Sequence, residues 1–341
     1  MHSSFKMSLA AVLAFLAPLA ANAATPAPHI CPAPYNPQEK LVHKHTPAAN
    51  VAVPDYSQIG ETPIPANLTG SIRRVDLPKG EKLVALTFDL CETPNEVAGY
   101  DGAIFETLRQ SNVPATLFAG GHWSETHAAR FGEISGSSGF EIGNHTWTHA
   151  NLRTVDAATM KREVYAPIAA FADVASQSQC VNPQSIPRPR PTLFRFPFGA
   201  CNPASMRMVN DAGMLAIQWD VSADDASPFR SADMIVKDTL AAVKPGSIIL
   251  AHANGRGYHT GDALPRIIAG LKARGYSFVT VSRLLAAGRP IIASTCYDFK
   301  PGDTDKYDNW GKKAAAPLPA PQPPATGPSV PRKVRADKSA D

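Results

Sequence analysis

Charge is scarce in this chain. Asp, Glu, Lys and Arg make up 18% of its 341 residues, and aromatic residues only 8%. Hydrophobic residues at 44% nevertheless exclude a wholly disordered polypeptide and allow a large core. Nor does the body of the chain carry a surplus of one sign. The formal net charge of +4 resides in residues 311–341, where Lys312, Lys313, Arg332, Lys333, Arg335 and Lys338 face only Asp337 and Asp341. A neutral body with a small basic tail argues against a nucleic-acid partner, since a folded nucleic-acid domain carries its own basic patch. Beyond the first 23 residues no apolar run approaches the ~20 residues that a bilayer span needs, so no transmembrane span is expected.

What the N-terminus does contain is a leader pattern. His2 and Lys6 precede the apolar stretch Leu9–Ala20, which ends in Ala21-Asn22-Ala23. A short basic region, an apolar run and an A-x-A site predict a signal peptide over residues 1–23, and a secreted or periplasmic protein. In that compartment thiols tend to pair, and five cysteines leave one over. Cys91 and Cys201 each follow a predicted strand, whereas Cys31 and Cys296 flank the globular region. The expected pairs are therefore Cys91–Cys201 and Cys31–Cys296, with Cys180 unpaired.

Residues 24–80 are rich in Pro, Ala and Asn without sustained period, and are expected to be an extended N-terminal segment. From Lys82 the texture changes to alternating elements. Strands are expected at Leu83–Phe88, Ala115–Ala119, Glu141–Asn144, Leu193–Phe196, Leu215–Trp219, Ser247–Leu250 and Phe278–Val281. Helices are expected near 102–110, 124–135, 156–176, 203–212, 231–242 and 262–274, and residues 178–191 are expected to be a proline-rich loop. Seven strands in βα alternation predict a mostly parallel sheet covered on both faces. A barrel as a single domain over 81–300 fits this length, and an open doubly wound sheet is the alternative. Residues 301–341 are expected to form a basic, Pro/Ala-rich disordered tail, with association to the cell envelope as one use of its charge.

In parallel βα folds the chemistry gathers where strands end. Here the strand ends carry Asp89, His145 with His149 four residues on, Arg195, Asp220 with Asp225 nearby, and His252. Two histidines four apart on a helical turn project to one side and can grip a divalent metal. A guanidinium beside Asp89 would keep a carboxylate base ionised, and a histidine can protonate a leaving amine or alcohol. Together these residues equip a metal-assisted hydrolase of amides or esters.

The same residues resemble the motifs of the polysaccharide deacetylase family (carbohydrate esterase family four, the nodulation-protein-B homology domain). Thr87-Phe88-Asp89 is similar to its first motif and His145-Thr146-Trp147-Thr148-His149 to its second. Arg195-Phe196-Pro197-Phe198-Gly199 is similar to the third and Leu250-Ala251-His252 to the fifth. The likeness covers about Lys82 to Leu285. It implies a distorted seven-stranded (β/α) barrel and a divalent metal, usually zinc. By resemblance Asp89 is the general base held by Arg195, and His145 and His149 are metal ligands. His252 is then the acid, and Phe198, Gly199 and Leu250 form the acetyl pocket. Asp225 is a candidate brace for the catalytic residues.

The resemblance departs at one place. The family's first motif supplies two adjacent acids, and here the second is Leu90. Glu92 is the expected replacement ligand, Asp101 the second choice, and a Cys91 thiolate a further possibility. The expected activity is removal of acetyl groups from an N-acetylglucosamine-containing polymer. Deacetylation of an acetylated xylan, or a carbohydrate-binding module with weakened metal affinity, are the alternatives.

Overall fold

The computed structural model describes residues 33–178, 180 and 190–309. The expected signal peptide, Cys31, most of the 178–191 loop and the tail from 310 lie outside them. Ten strands form one sheet: β1 (Ser71–Asp76), β2 (Leu83–Leu90), β3 (Ala115–Ala119), β4 (Phe140–Asn144), β5 (Leu193–Phe194), β6 (Leu215–Ile217), β7 (Val221–Ser222), β8 (Ile248–His252), β9 (Ser277–Phe278) and β10 (Arg289–Ala293). Eight helices intervene: α1 (Gly102–Gln110), α2 (Gly121–Thr126), α3 (Ala128–Gly136), α4 (Ala157–Gln177), α5 (Pro203–Asp211), α6 (Ala232–Ala242), α7 (Thr260–Ala273) and α8 (Val281–Ala287).

The order across the sheet is β10-β1-β6-β5-β4-β3-β2-β8-β7, with β9 paired to β2. From β2 to β6 the chain steps one neighbour at a time, each pair parallel, as a barrel requires. β8 then returns to the other side of β2, also in parallel. The ring opens between β6 and β7, so the fold is a curled, distorted β/α barrel. β1 occupies the opening: it pairs with β6, and its Val75 N–H reaches the Gly246 carbonyl just before β8.

A strand forms at each of the seven expected places, although the last is Ser277–Phe278 and Val281, expected to end it, opens α8; their alternation of faces explains the core. Val84, Leu86, Phe88 and Leu90 of β2 pack with Ile104, Phe105 and Leu108 of α1 and Leu264, Ile267 and Ile268 of α7. Ala85 faces the opposite way, with Phe118, Ile248 and Leu250. Both faces are covered, which is why β2 reads as a near-continuous apolar run.

Three expectations need correction. The segment 24–80 is not merely a lead-in, because β1 lies inside it with Ile72 and Val75 fully buried. The helix expected at 124–135 is broken at His127 into α2 and α3, where the imidazole stacks on Trp123 with ring centroids 4.8 Å apart. The tail does not begin at 301. Residues 301–309 are held to the body by Arg153, which pairs with Asp305 and Asp308, and by fully buried Thr304.

The expected disulfides are also rearranged. Cys201 bonds to Cys296, 95 residues away, Cys180 is itself disulfide-bonded, and Cys91 is free and buried. The Cα atoms of Cys201 and Cys296 stand 5.4 Å apart, within disulfide reach, whereas Cys91 is buried just past the end of β2. Cys201→Ser is expected to cost about 2–4 kcal/mol, since a long loop loses its crosslink. A lowered midpoint of urea unfolding under non-reducing conditions measures it.

Candidate active site

Alternation along β2 also selects what reaches the open end of the barrel. Asp89 shares the inner face with Ala85 and Thr87, and Leu90 points into the helix-side core, fully buried. Carried past the strand, the same alternation turns Cys91 to the Asp89 side and Glu92 to the Leu90 side. A cavity of about 910 Å³ opens there, lined by Asp89, Cys91, His149, Phe198, Leu250 and His252 among others.

Glu92 is therefore not where it was expected. Its Oε2 accepts the Ala98 N–H at 2.8 Å, and its Oε1 meets His122 Nδ1 at 2.8 Å and the Thr126 hydroxyl at 3.1 Å. Both oxygens are spent on tying the chain after β2 to α2. Asp101, the second choice, is ion-paired with Lys40 at 2.9 Å. The donors that do converge are Cys91 Sγ and one ring nitrogen each of His145 and His149, all within 4.8 Å of one another.

The two histidines are not on a helical turn. Thr146 (φ 68°) and His149 (φ 59°) take left-handed backbone conformations, and this brings the rings to 5.0 Å. Non-glycine residues in that region cost energy that the surroundings must supply. Here Asn144 Oδ1 accepts the Thr146 N–H, and buried Glu163 accepts both the N–H and the hydroxyl of Thr148. His145 Nδ1 donates to the Arg195 carbonyl at 2.8 Å, which directs Nε2 inward. That buried Nε2 has no hydrogen-bond partner, although Asp89 Oδ2 is 3.3 Å away. Burial lowers the pKa of His145, and lowers that of His149 further because His145, Arg256 and His252 add to it. Neutral imidazoles are the metal-binding form.

Arg195 is fully buried and donates from Nη1 to Asp89 Oδ1 at 2.8 Å. Its guanidinium lies 4.0 Å over the Phe118 ring centroid, so packing on one face and ion pairing at the tip hold it. Burial alone would raise the pKa of Asp89, but His145, Arg195 and His252 outweigh it and hold the carboxyl below its ordinary range. Burial likewise opposes a charge on His252. Asp225 overcomes this by accepting from its Nδ1 and its backbone N–H, both at 2.8 Å, and the pKa rises. Thr260 donates to the same carboxylate. Asp220 does something different: it accepts from Ile248 N–H and the Ser247 hydroxyl at the base of β8. Cys91, by contrast, has its thiol pKa pushed up by burial and by Asp89.

Phe198 and Leu250 line the cavity, Phe198 at φ 62° with its ring 4.5 Å from that of His149. Gly199 lies buried behind them at φ 63°, where a Cβ would stand 3.2 Å from the Trp219 ring. Its role is to let the turn pack, rather than to line the pocket. Three contributors had gone unnoticed. Asn254 donates to the Cys91 carbonyl at 2.7 Å and approaches its Sγ at 3.4 Å. Asp298 accepts from Trp219 Nε1, and Tyr307 stacks on Phe198 with centroids 5.1 Å apart. Asp298 lies just before the stretch read as tail and Tyr307 within it, and no local pattern marks either.

The polysaccharide deacetylase family profile matches residues 76–217. A chitooligosaccharide deacetylase of Bradyrhizobium sp. is 32% identical over 224 residues, covering 60% of this chain and 91% of that protein. The chain belongs to the polysaccharide deacetylase family. A peptidoglycan-N-acetylglucosamine deacetylase of Bacillus cereus is 29% identical over 214 residues, 62% of this chain and 71% of that one. Among solved structures, the Bc1960 peptidoglycan N-acetylglucosamine deacetylase superposes with a TM-score of 0.54 at 26% identity, covering 64% of this chain and 94% of that one. As a polysaccharide deacetylase the protein is a hydrolase of carbon–nitrogen bonds other than peptide bonds. Among the described residues no helix is long and apolar enough to cross a membrane.

Proposed function

We propose that this polysaccharide deacetylase is exported and metal-dependent, and that it removes acetyl groups from an N-acetylglucosamine-containing polymer such as peptidoglycan or an exopolysaccharide. The observation that carries the reading is the buried Asp89, held 2.8 Å from Arg195 Nη1 and 3.3 Å from His145 Nε2 in the groove that also holds His252. The names of the two relatives support the substrate class. The leader pattern and the disulfides support export.

The donor set fits a divalent cation. His145 Nε2 is buried and unpartnered, burial holds the His149 pKa well below its ordinary value, and two imidazoles with a thiol are the chemistry that zinc prefers. A cation held by His145, His149 and Cys91 would supply Lewis-acid polarisation of the acyl carbonyl and a lowered pKa for the attacking water. The protein does the rest. Arg195 fixes Asp89 through Oδ1, leaving Oδ2 to take the proton of the water. Asp225 holds His252 by Nδ1, so the other ring nitrogen carries the proton that the leaving amine accepts. Phe198 and Leu250 supply an apolar wall for the acetyl methyl.

Activity is expected to be bell-shaped in pH, with Asp89 ionised and His252 protonated. Because Asp225 raises the pKa of His252, Asp225→Asn should move the alkaline limb to lower pH. A pH–rate profile in which that limb stays put contradicts the assignment of His252. The direct test is acetate release from N-acetylglucosamine oligomers before and after chelation. Release that chelation abolishes and zinc restores is expected. A metal-loaded protein that binds the oligomers without releasing acetate is a binding module instead.

A further inference from the structure

We propose that the Cys91 thiolate is the third protein ligand of the metal, positioned by Asn254, and that it tunes the site toward thiophilic cations. This rests on the metal-dependent reading above and specifies its donor set, which departs from the adjacent acid pair that the family motif implies.

Four observations converge on Cys91. Leu90 occupies the place of the second acid and is buried on the helix side of β2, where no cation can reach it. Glu92 has both oxygens engaged elsewhere, by Ala98, His122 and Thr126. Cys91 is in no disulfide, lines the groove, and places Sγ within 4.8 Å of the ring nitrogens of both His145 and His149. His145 Nε2, in that same group, is buried without a hydrogen-bond partner. A buried polar atom left unpaired is costly unless something it can bind is brought to it.

Asn254 is fully buried two residues beyond His252, and its Nδ2 donates to the Cys91 carbonyl at 2.7 Å while lying 3.4 Å from Sγ. One amide thus sets the backbone of Cys91 and presents a donor to its sulfur. Such a donor favours a sulfur that carries charge, which is its state once a metal has displaced the thiol proton to solvent. Asn254 is fully buried and is not among the residues lining the groove, so its role is positioning. A sulfur in the donor set ranks zinc and cobalt far above magnesium and manganese, which seek oxygen.

The experiment uses the full-length protein stripped of metal and titrated with Co²⁺, followed by absorption. A thiolate-to-cobalt charge-transfer band in the near ultraviolet is expected, lost in Cys91→Ser. In Cys91→Asp the band is absent and the selectivity for Zn²⁺ over Mn²⁺ narrows. Asn254→Ala is expected to shift the band and weaken metal affinity about 10–100-fold, as loss of a ligand's outer partner does. Thermal unfolding of each variant separates this from misfolding. Co²⁺ binding without the band, or a band that persists in Cys91→Ser, overturns the proposal even if acetate is still released. A Cys91-dependent band in a protein that releases no acetate upholds it and sinks the deacetylase reading instead. No Co²⁺ binding at all overturns both.

Discussion

Asp89→Asn is expected to reduce the turnover of acetyl release by about 10²–10⁴, the usual worth of a positioned general base. In barrier height that is roughly 3–5 kcal/mol. The substitution is nearly isosteric, and an amide oxygen can still accept the Arg195 Nη1 proton that Asp89 Oδ1 accepts at 2.8 Å. What it cannot do is take a proton from water. His145 and His149 keep their places, because His145 is oriented by the Arg195 carbonyl and not by Asp89. The loss should therefore fall on kcat with little change in KM, and steady-state kinetics on an oligomer separates the two. Full turnover in this variant would remove Asp89 from the mechanism.

Arg195→Met should have the largest effect on stability, about 3–5 kcal/mol, because one member of a buried ion pair is lost and the other is stranded. Arg195 has no exposed surface and Asp89 is 4% exposed, so water cannot replace the guanidinium. The same change alters the pH response. In the wild type the Asp89 pKa is lowered, so its contribution to stability is present above the unfolded-state value and is lost as pH falls through the folded one. Without Arg195 the carboxylate loses one of the three groups that oppose its burial, together with a hydrogen bond, and its pKa moves upward. The acid limb of activity should then shift to higher pH along with the drop in unfolding midpoint. Denaturant unfolding at several pH values checks both. A variant as stable as the wild type, with an unmoved acid limb, would show that the pair is dispensable.

Much of the candidate site could be read from sequence because its signals are local. The βα alternation and the seven parallel strands follow from periods of two and 3.6 residues, and these periods are written in short windows. So is the placement of Asp89, Arg195 and His252 at strand ends, since parallel strands aim their ends at one rim. The brace from Asp225 to His252 was legible only as a motif fragment, because 27 residues separate the two. Three errors share one cause. β1 is not legible in 24–80 because its partners in β6 lie 145 residues away (Ser71 to Ala216), and alternation in six residues is faint without them. Glu92 stands ahead of Cys91 in the sequence reading because Cys91 is there assigned to a disulfide with Cys201, whereas the folded chain leaves its thiol free. His145 and His149 were placed on a helical turn, where spacing alone allows it, but two left-handed residues do the work.

The sequence by itself determined the alternating strands, the rim on which the reactive groups stand and the class of chemistry they suit, since each follows from short-range periodicity and side-chain type. Only the tertiary structure decided that Cys201 reaches Cys296, that Cys91 and not Glu92 stands beside the histidines, and that the stretch ending in Tyr307 walls the groove. Those outcomes depend on distances between residues remote along the chain, and such distances are set by how the barrel curls and packs.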